Sequence, residues 1–398
     1  MKKILIEIFK FGIRNADPYG LVIKHMELFN NKLYVRSKNK KFTVDLQNYN
    51  NVIVVGAGKA SGKMAYAIEK VLKDKIDIGL VAVKSIYLKP FKKIKQIVAG
   101  HPVPNENSQR AALQIFDLVR NADKKTLVIG LISGGGSSLL CLPKDISLKS
   151  KIRLTEKYLK SGVDIFKLNR IRKKISLIKG GKLARLILPA TSLNFILSDV
   201  VGDDISTIAS GLTDYQDDRI KNIIVGNNSS GLKGCEQKAK KLGFETLVIN
   251  KPITGPVNEA AEYFFNLAKN KMQKRKTFNR PLCIIAGGET TVKVRGSGSG
   301  GRCQEMVLGL LNMIRQSGSE FNRVSFLSCG TDGIDGLTQY AGAYFDDKIL
   351  KKIKTIKWNM DKYLDNNDSN TALKKINALI KTGPTGTNVG DIHLLIIK

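Results

Sequence analysis

Lys59 and Arg302 each stand beside a glycine-dense turn, the position from which a cation meets an anion held by backbone amides. Lys59 lies in VIVVGAGKASGK, residues 52–63, where an apolar run passes through a glycine turn into a helix start. A phosphate there would meet both the ammonium and the positive end of the helix. Arg302 follows GSGSGG, residues 296–301, and brings a planar fork of donors suited to a phosphoryl or carboxylate group. Its plainer alternative is a pair with Glu305 on its own helix. Two more loops expose amide hydrogens without Cβ obstruction and add hydroxyls. They are SGGGSS, with Gly134, Gly135, Gly136, Ser137 and Ser138, and TGPTGTN, with Thr385, Gly386, Thr387 and Asn388. Together the loops point to a phosphate-handling enzyme.

Two familiar phosphate signatures nearly fit the Lys59 turn and fail. A P-loop needs Gly where Ile53 stands and Ser or Thr where Ala60 stands. A dinucleotide fingerprint wants Gly in place of Ser61 and an acid ending the second strand, where IDIGLVAVK instead ends in Lys84. Carboxylates for Mg²⁺ carried with a nucleotide are offered by Asp199 in SDVVGDD, and less directly by Glu289 in GGETT and Asp332 in GTDGIDG. Capping of a following helix is the rival use, and suits Asp204 without displacing Asp199 from a metal. The last loop mixes Asp and Gly as a calcium loop does, but lacks the closing Glu. His101, in GHPVP, lines the site or caps a turn. The basic stretch LNRIRKK with KGGK reads alone as a solvated face; among anion loops it supplies Arg172 and Lys179 as substrate-binding candidates.

These residues need elements that bring loops to one edge. Apolar runs at 51–55, 78–83, 94–98, 126–132, 192–197 and 222–225 alternate with helical patterns, which is the signature of βαβ units and a parallel sheet. A second set, at 282–286, 324–328 and 392–397, comes with helices expected over 302–315 and 370–380. The expected organisation is α/β in two domains, 1–240 and 241–398, with a helical connector over 258–271. The basic segment 271–280 is read as a solvated loop. Ligands of open α/β sheets sit beyond the carboxyl ends of the strands, so the loops should form one composite active site in an interdomain cleft.

Composition narrows the class. With 398 residues, 42% of them hydrophobic, the chain can bury two cores. No apolar run approaches the roughly 20 residues a membrane span needs. Its start, MKKILIEIFKFGIRNADP, is broken by Glu7 and Lys10 and lacks a cleavage site, so an amphipathic first helix and a cytoplasmic enzyme are expected. Cys141, Cys235, Cys283, Cys303 and Cys329 are isolated, which supports neither a disulfide framework nor a zinc site. The net charge of +32 is spread along helical faces such as Lys238, Lys240 and Lys241, with no Arg-rich arm or aromatic interleaving, so nucleic acid is not the expected partner.

Taken in order, GAGKAS, GHPVP, SGGGSSLL, LNRIRKKISLIKGGKLA, LSDVVGDDISTIASG, GGETTVKV with GGRCQE, GTDGIDG, and NDS with TGPTGTNVGD resemble the class II glycerate 2-kinases. That family carries a C-terminal MOFRL domain, and some members are labelled hydroxypyruvate reductase. The resemblance covers most of the chain. It implies a Rossmann-like N-terminal domain and a second α/β domain of the MOFRL type. It also implies phosphorylation of D-glycerate at the 2-hydroxyl by ATP with Mg²⁺, giving 2-phosphoglycerate and ADP, with Lys59 and Arg302 as the catalytic cations. The alternative it carries is an NAD(P)H-dependent hydroxypyruvate reductase. Partners would be D-glycerate and ATP, with no nucleic acid and no membrane; homo-oligomerisation stays open. Cys303 stands where the family usually has Asn, Lys174 where it commonly has His, Ser299 where a basic residue is frequent, and Leu212 where Pro is usual.

Overall fold

The structure is a computed structural model that describes residues 1–37, 40–160, 165–274, 280–317, 319–356 and 358–398. Residues 275–279 of the expected basic loop lie outside the described residues. Packing divides the chain into a parallel unit, residues 17–227, and a mixed unit built from residues 1–16 and 228–398. The chain opens in the mixed unit with α1 (Lys2–Asn15), whose Leu5, Ile8, Phe9 and Gly12 are buried on one face, as the amphipathic pattern requires.

The parallel unit starts at Asp17, whose side chain accepts from the Gly20 N–H and caps α2 (Pro18–His25). A three-stranded antiparallel meander follows, β1 (Met26–Phe29), β2 (Lys32–Arg36) and β3 (Lys41–Asp45). Then come β4 (Asn51–Ala57), α3 (Ser61–Leu72), β5 (Ile78–Val83), β6 (Ile94–Val98), α4 (Glu106–Val119) and β7 (Thr126–Ser133). The unit continues through α5 (Gly136–Leu139), α6 (Leu148–Lys160), α7 (Ile165–Lys174), α8 (Lys182–Ile187), β8 (Thr191–Leu197) and β9 (Ile220–Gly226). The six strands β4 to β9 form one wholly parallel sheet in the order β6-β5-β4-β7-β8-β9. Strand β7 is buried at every residue, the near-continuous apolar run of a strand covered on both faces. This strand order is that of a dinucleotide-binding sheet, and the connection reverses between β4 and β7. The loops after those two strands therefore flank the crevice where ligands of such sheets bind.

The mixed unit resumes with α9 (Asn228–Lys241), β10 (Glu245–Val248), β11 (Ile253–Pro256), α10 (Val257–Lys274), β12 (Leu282–Thr291), α11 (Arg302–Gln316) and β13 (Val324–Gly330). It ends with β14 (Gly342–Phe345), α12 (Asp347–Lys354), α13 (Met360–Asp365), α14 (Ser369–Lys375), β15 (Leu379–Ile380) and β16 (Asp391–Ile397). Its seven-stranded sheet runs β10-β12-β16-β13-β14-β15, with β11 also on β12. Strand β16 lies antiparallel between β12 and β13, which sets Asp391 at its start opposite Gly288 and Gly330 at the ends of its neighbours.

Three features differ from the sequence reading. The expected division after residue 240 falls in the last turn of α9, a helix that packs with α1, so the break in packing comes before Asn228. The helix expected over 370–380 stops at Lys375; Asn377 takes a φ of +57°, and Leu379–Ile380 turns into a strand on β14. The meander over 26–45 carried no strong sequence signal. No helix among the described residues is long and apolar enough to cross a membrane.

Candidate functional site

In the parallel unit the loops after β4 and β7 are tied together. The Lys59 N–H donates to the Gly134 carbonyl at 2.9 Å, and the Ala60 N–H donates to the Ser133 hydroxyl at 3.0 Å. Gly135 has a φ of +82°, and a Cβ there would lie 2.9 Å from the His101 ring and 3.2 Å from Lys59 Cγ. Only glycine fits that approach, which brings Lys59, His101 and the SGGGSS loop to one place. The serines of this loop are engaged internally. Ser137 and Ser138 pair through their hydroxyls with Ser210 and the Gly135 carbonyl.

Beside this loop lies a cavity of about 350 Å³ that His101, Gly135, Ser137 and Ser138 line together with Arg172 and Lys179. The structure therefore brings together the three substrate-binding candidates read from sequence. Lys179 is 1% exposed, and its ammonium donates to the Ser137 carbonyl at 2.5 Å. Burial first, and then the charge of Lys151, push Lys179 well below the usual ammonium range. Burial also lowers the proton affinity of Arg172. Lys151, which the sequence did not single out, is 4% exposed and donates to Cys141 Sγ at 2.7 Å. Its helix LKSKIRLTEKYLK reads as a charged surface helix, and nothing in its spacing signals a buried lysine. Lys84 directly follows β5, where a dinucleotide site places its acid.

In the mixed unit Arg302 opens α11 and faces two carboxylates. Asp391 takes its Nε and Nη2 at 2.6 and 2.9 Å, and Glu289 takes Nη1 at 2.8 Å. Glu305, the helix neighbour expected as the plainer partner, instead accepts from Asn367. Burial works against the Arg302 charge, but Asp391 and then Glu289 outweigh it and hold the guanidinium charged. Hydrogen bonds to Asp391 occupy two of its five N–H donors, and Nη1 lies in an ion pair with Glu289. Asp335 caps the same helix, accepting from the N–H groups of Cys303 and Gln304, and burial raises its carboxyl to about 6. The Cys303 thiol is buried and pushed up by that burial, so this departure from the family pattern is an inert side chain turned inward. His393, two residues beyond Asp391, is also buried; it shares a hydrogen bond with Ser328 at 2.9 Å and is lowered to about 4 by burial.

The 385–388 loop reaches the same sheet end, yet its hydroxyls have structural uses. Thr385 donates to the Thr331 carbonyl, and Thr387, 1% exposed, donates to the Ala16 carbonyl. The hydroxyls of that loop are therefore committed to holding the loop itself. Among the metal candidates, Glu289 is paired with Arg302, Asp332 Oδ1 accepts from the Ile334 N–H, and Asp199 follows β8 in the parallel unit. Asp204 caps its own turn, accepting from Ser206 and Thr207. No group of three or more His, Cys, Asp or Glu among the described residues is arranged to hold a metal. Such a donor set does not fit an ion caged by protein alone. It fits Mg²⁺ delivered on a nucleotide, which takes one or two carboxylates beside the phosphates.

Residues 4–238 match a domain of unknown function, DUF4147, and residues 282–391 match the MOFRL family. A glycerate 2-kinase of Pyrococcus horikoshii is 32% identical over all of this chain and 97% of its own length. A D-glycerate 2-kinase of Thermotoga maritima is 34% identical over all of this chain and 98% of its own. The crystal structure of a glycerate kinase from Thermotoga maritima superposes with a TM-score of 0.81 at 33% identity, covering all of this chain and 99% of that one. With two such full-length relatives and both domains matched in order, the chain belongs to the glycerate 2-kinase family whose members join this N-terminal domain to a MOFRL domain.

Proposed function

We propose that the protein transfers the γ-phosphoryl group of ATP to the 2-hydroxyl of D-glycerate, giving 2-phosphoglycerate and ADP. The observation that carries this reading is the kinship, over the whole chain, with proteins named glycerate 2-kinase and D-glycerate 2-kinase. The geometry supports it at two points. Lys59 stands beside the SGGGSS loop at the reversal of the parallel sheet, and Arg302 is held charged by Asp391 and Glu289.

Phosphoryl transfer has a loose transition state, with charge on the equatorial oxygens, so positioned cations do most of the catalytic work. Lys59 and Arg302 supply that charge; the Lys59 backbone is tied to Gly134, and the Arg302 guanidinium is held by Asp391. The Gly134–Ser138 and Thr385–Asn388 backbones orient phosphate oxygens, and His101 borders the same space as Lys59. Asp199, Glu289 and Asp332 are the carboxylates that would hold Mg²⁺, which would supply positive charge to the phosphates.

Purified protein with Mg²⁺, ATP and D-glycerate, coupled to enolase alone, should yield phosphoenolpyruvate, because enolase accepts 2-phosphoglycerate and not its 3-isomer. ADP release without phosphoenolpyruvate would defeat the assignment of the 2-hydroxyl. Lys59→Ala and Arg302→Ala should each lower kcat/KM by roughly 100- to 1,000-fold, the usual cost of one transition-state charge donor. Near-normal values would remove these two residues from catalysis.

A further inference from the structure

We propose that the cavity of the parallel unit takes the nucleotide, with its polyphosphate on Lys151, Lys179 and Arg172 and its base against the apolar wall of Pro102, Val103 and Ile152. This rests on the kinase reading and names which of the two substrates the cavity serves.

Charge is the first argument. Lys151 and Lys179 are 4% and 1% exposed and face the same cavity, and among the described residues the one acid on its lining, Glu156, is exposed. Their hydrogen-bond partners, Cys141 Sγ and the Ser137 carbonyl, are polar groups and not counter-ions. Two buried ammonium groups without a carboxylate are costly unless an anion completes them. Burial first, and the charge of Lys151 after it, lower the proton affinity of Lys179, a cost that an anion in the cavity would offset. A polyphosphate carries enough negative charge to compensate both lysines and Arg172 together.

Size and polarity are the second argument. At about 350 Å³ the cavity falls in the range of roughly 300–1,000 Å³ typical of sites for drug-sized ligands. A small hydroxy acid would fill a fraction of it and set its oxygens against proline and isoleucine. A nucleotide matches both ends, with apolar side chains for the flat base and cations for the phosphates. Ser137, in the glycine loop, binds Lys179 through its carbonyl, so the cavity floor and the Lys59 loop are continuous.

Isothermal titration of the full chain with Mg-ADP, and separately with D-glycerate, tests the assignment. Lys151→Met keeps the apolar stem and removes the charge. It should weaken ADP by roughly 10- to 100-fold, the loss of one charge-assisted hydrogen bond, and leave D-glycerate within about threefold. Unchanged ADP affinity, or a loss confined to D-glycerate, overturns the proposal. Val103→Trp, at a position 51% exposed and so independent of the core, decides the matter should Lys151→Met not fold. It blocks the base wall and should weaken ADP about tenfold; unaltered ADP binding there also overturns the proposal. If ADP binds and both variants weaken it, yet D-glycerate is never phosphorylated, the acceptor assignment fails and the nucleotide cavity stands.

Discussion

Arg302 meets two carboxylates of different character. The Glu289 side chain is 45% exposed, so its ion pair contributes about 0–1 kcal/mol. Asp391 is fully buried and accepts two N–H bonds; removing its charge leaves Arg302 half-buried against a neutral partner, at a cost of about 3–5 kcal/mol. Asp391→Asn should therefore lower the unfolding free energy in urea by about 3 kcal/mol, and Glu289→Gln by about 1 kcal/mol or less. Equal losses would show that burial does not rank these partners. In sequence the place of Arg302 at a helix start was legible from the glycine turn before it. Asp391 was not, since it stands 89 residues away and only the β12-β16-β13 pairing brings it there. Lys151 was hidden for a related reason: the number of charges in its helix is plain, but which one faces a cavity wall is a tertiary fact.

Helix α1 crosses the mixed unit's α9 at glycines. A Cβ at Gly12 would lie 2.4 Å from Cys235 Sγ and 3.0 Å from the Gly231 carbonyl, whereas a Cβ at Gly20 in α2 would meet nothing within 4 Å. The same substitution should then have opposite signs. Gly12→Ala should destabilise by about 1–3 kcal/mol through overpacking, and Gly20→Ala should be neutral or stabilise by about 0.4–1 kcal/mol through the unfolded chain. Thermal midpoints of the two variants check this, and a loss at Gly20 to match Gly12 would contradict it. At this scale the parallel strands were readable because a strand buried on both faces is one unbroken apolar run, as in β4 and β7. The meander β1–β3 was not, its strands being short and exposed at alternate residues, as Lys32–Arg36 shows. Asn377 ended the last expected helix by entering the left-handed region, which its residue type permits but does not announce.

Across the whole molecule the net charge of +32 has a kinetic consequence for substrates that are all anions. The value of kcat/KM for ATP should fall several-fold between roughly 0.05 and 0.5 M KCl, because the Debye length shrinks from about 14 to about 4 Å. A flat profile would confine the attraction to the cavity lysines. The chain's connectivity has a consequence of another kind. Helix α1 belongs to a unit whose remainder begins at Asn228, and its Ile8 carbonyl is met by Cys235, 227 residues downstream. During synthesis α1 is made before the residues that cover Leu5, Ile8 and Phe9, while residues 17–227 can fold as they appear. A helix of the mixed unit is thus made long before the elements it packs on, and a growing chain holds open that apolar face until α9 has left the ribosome.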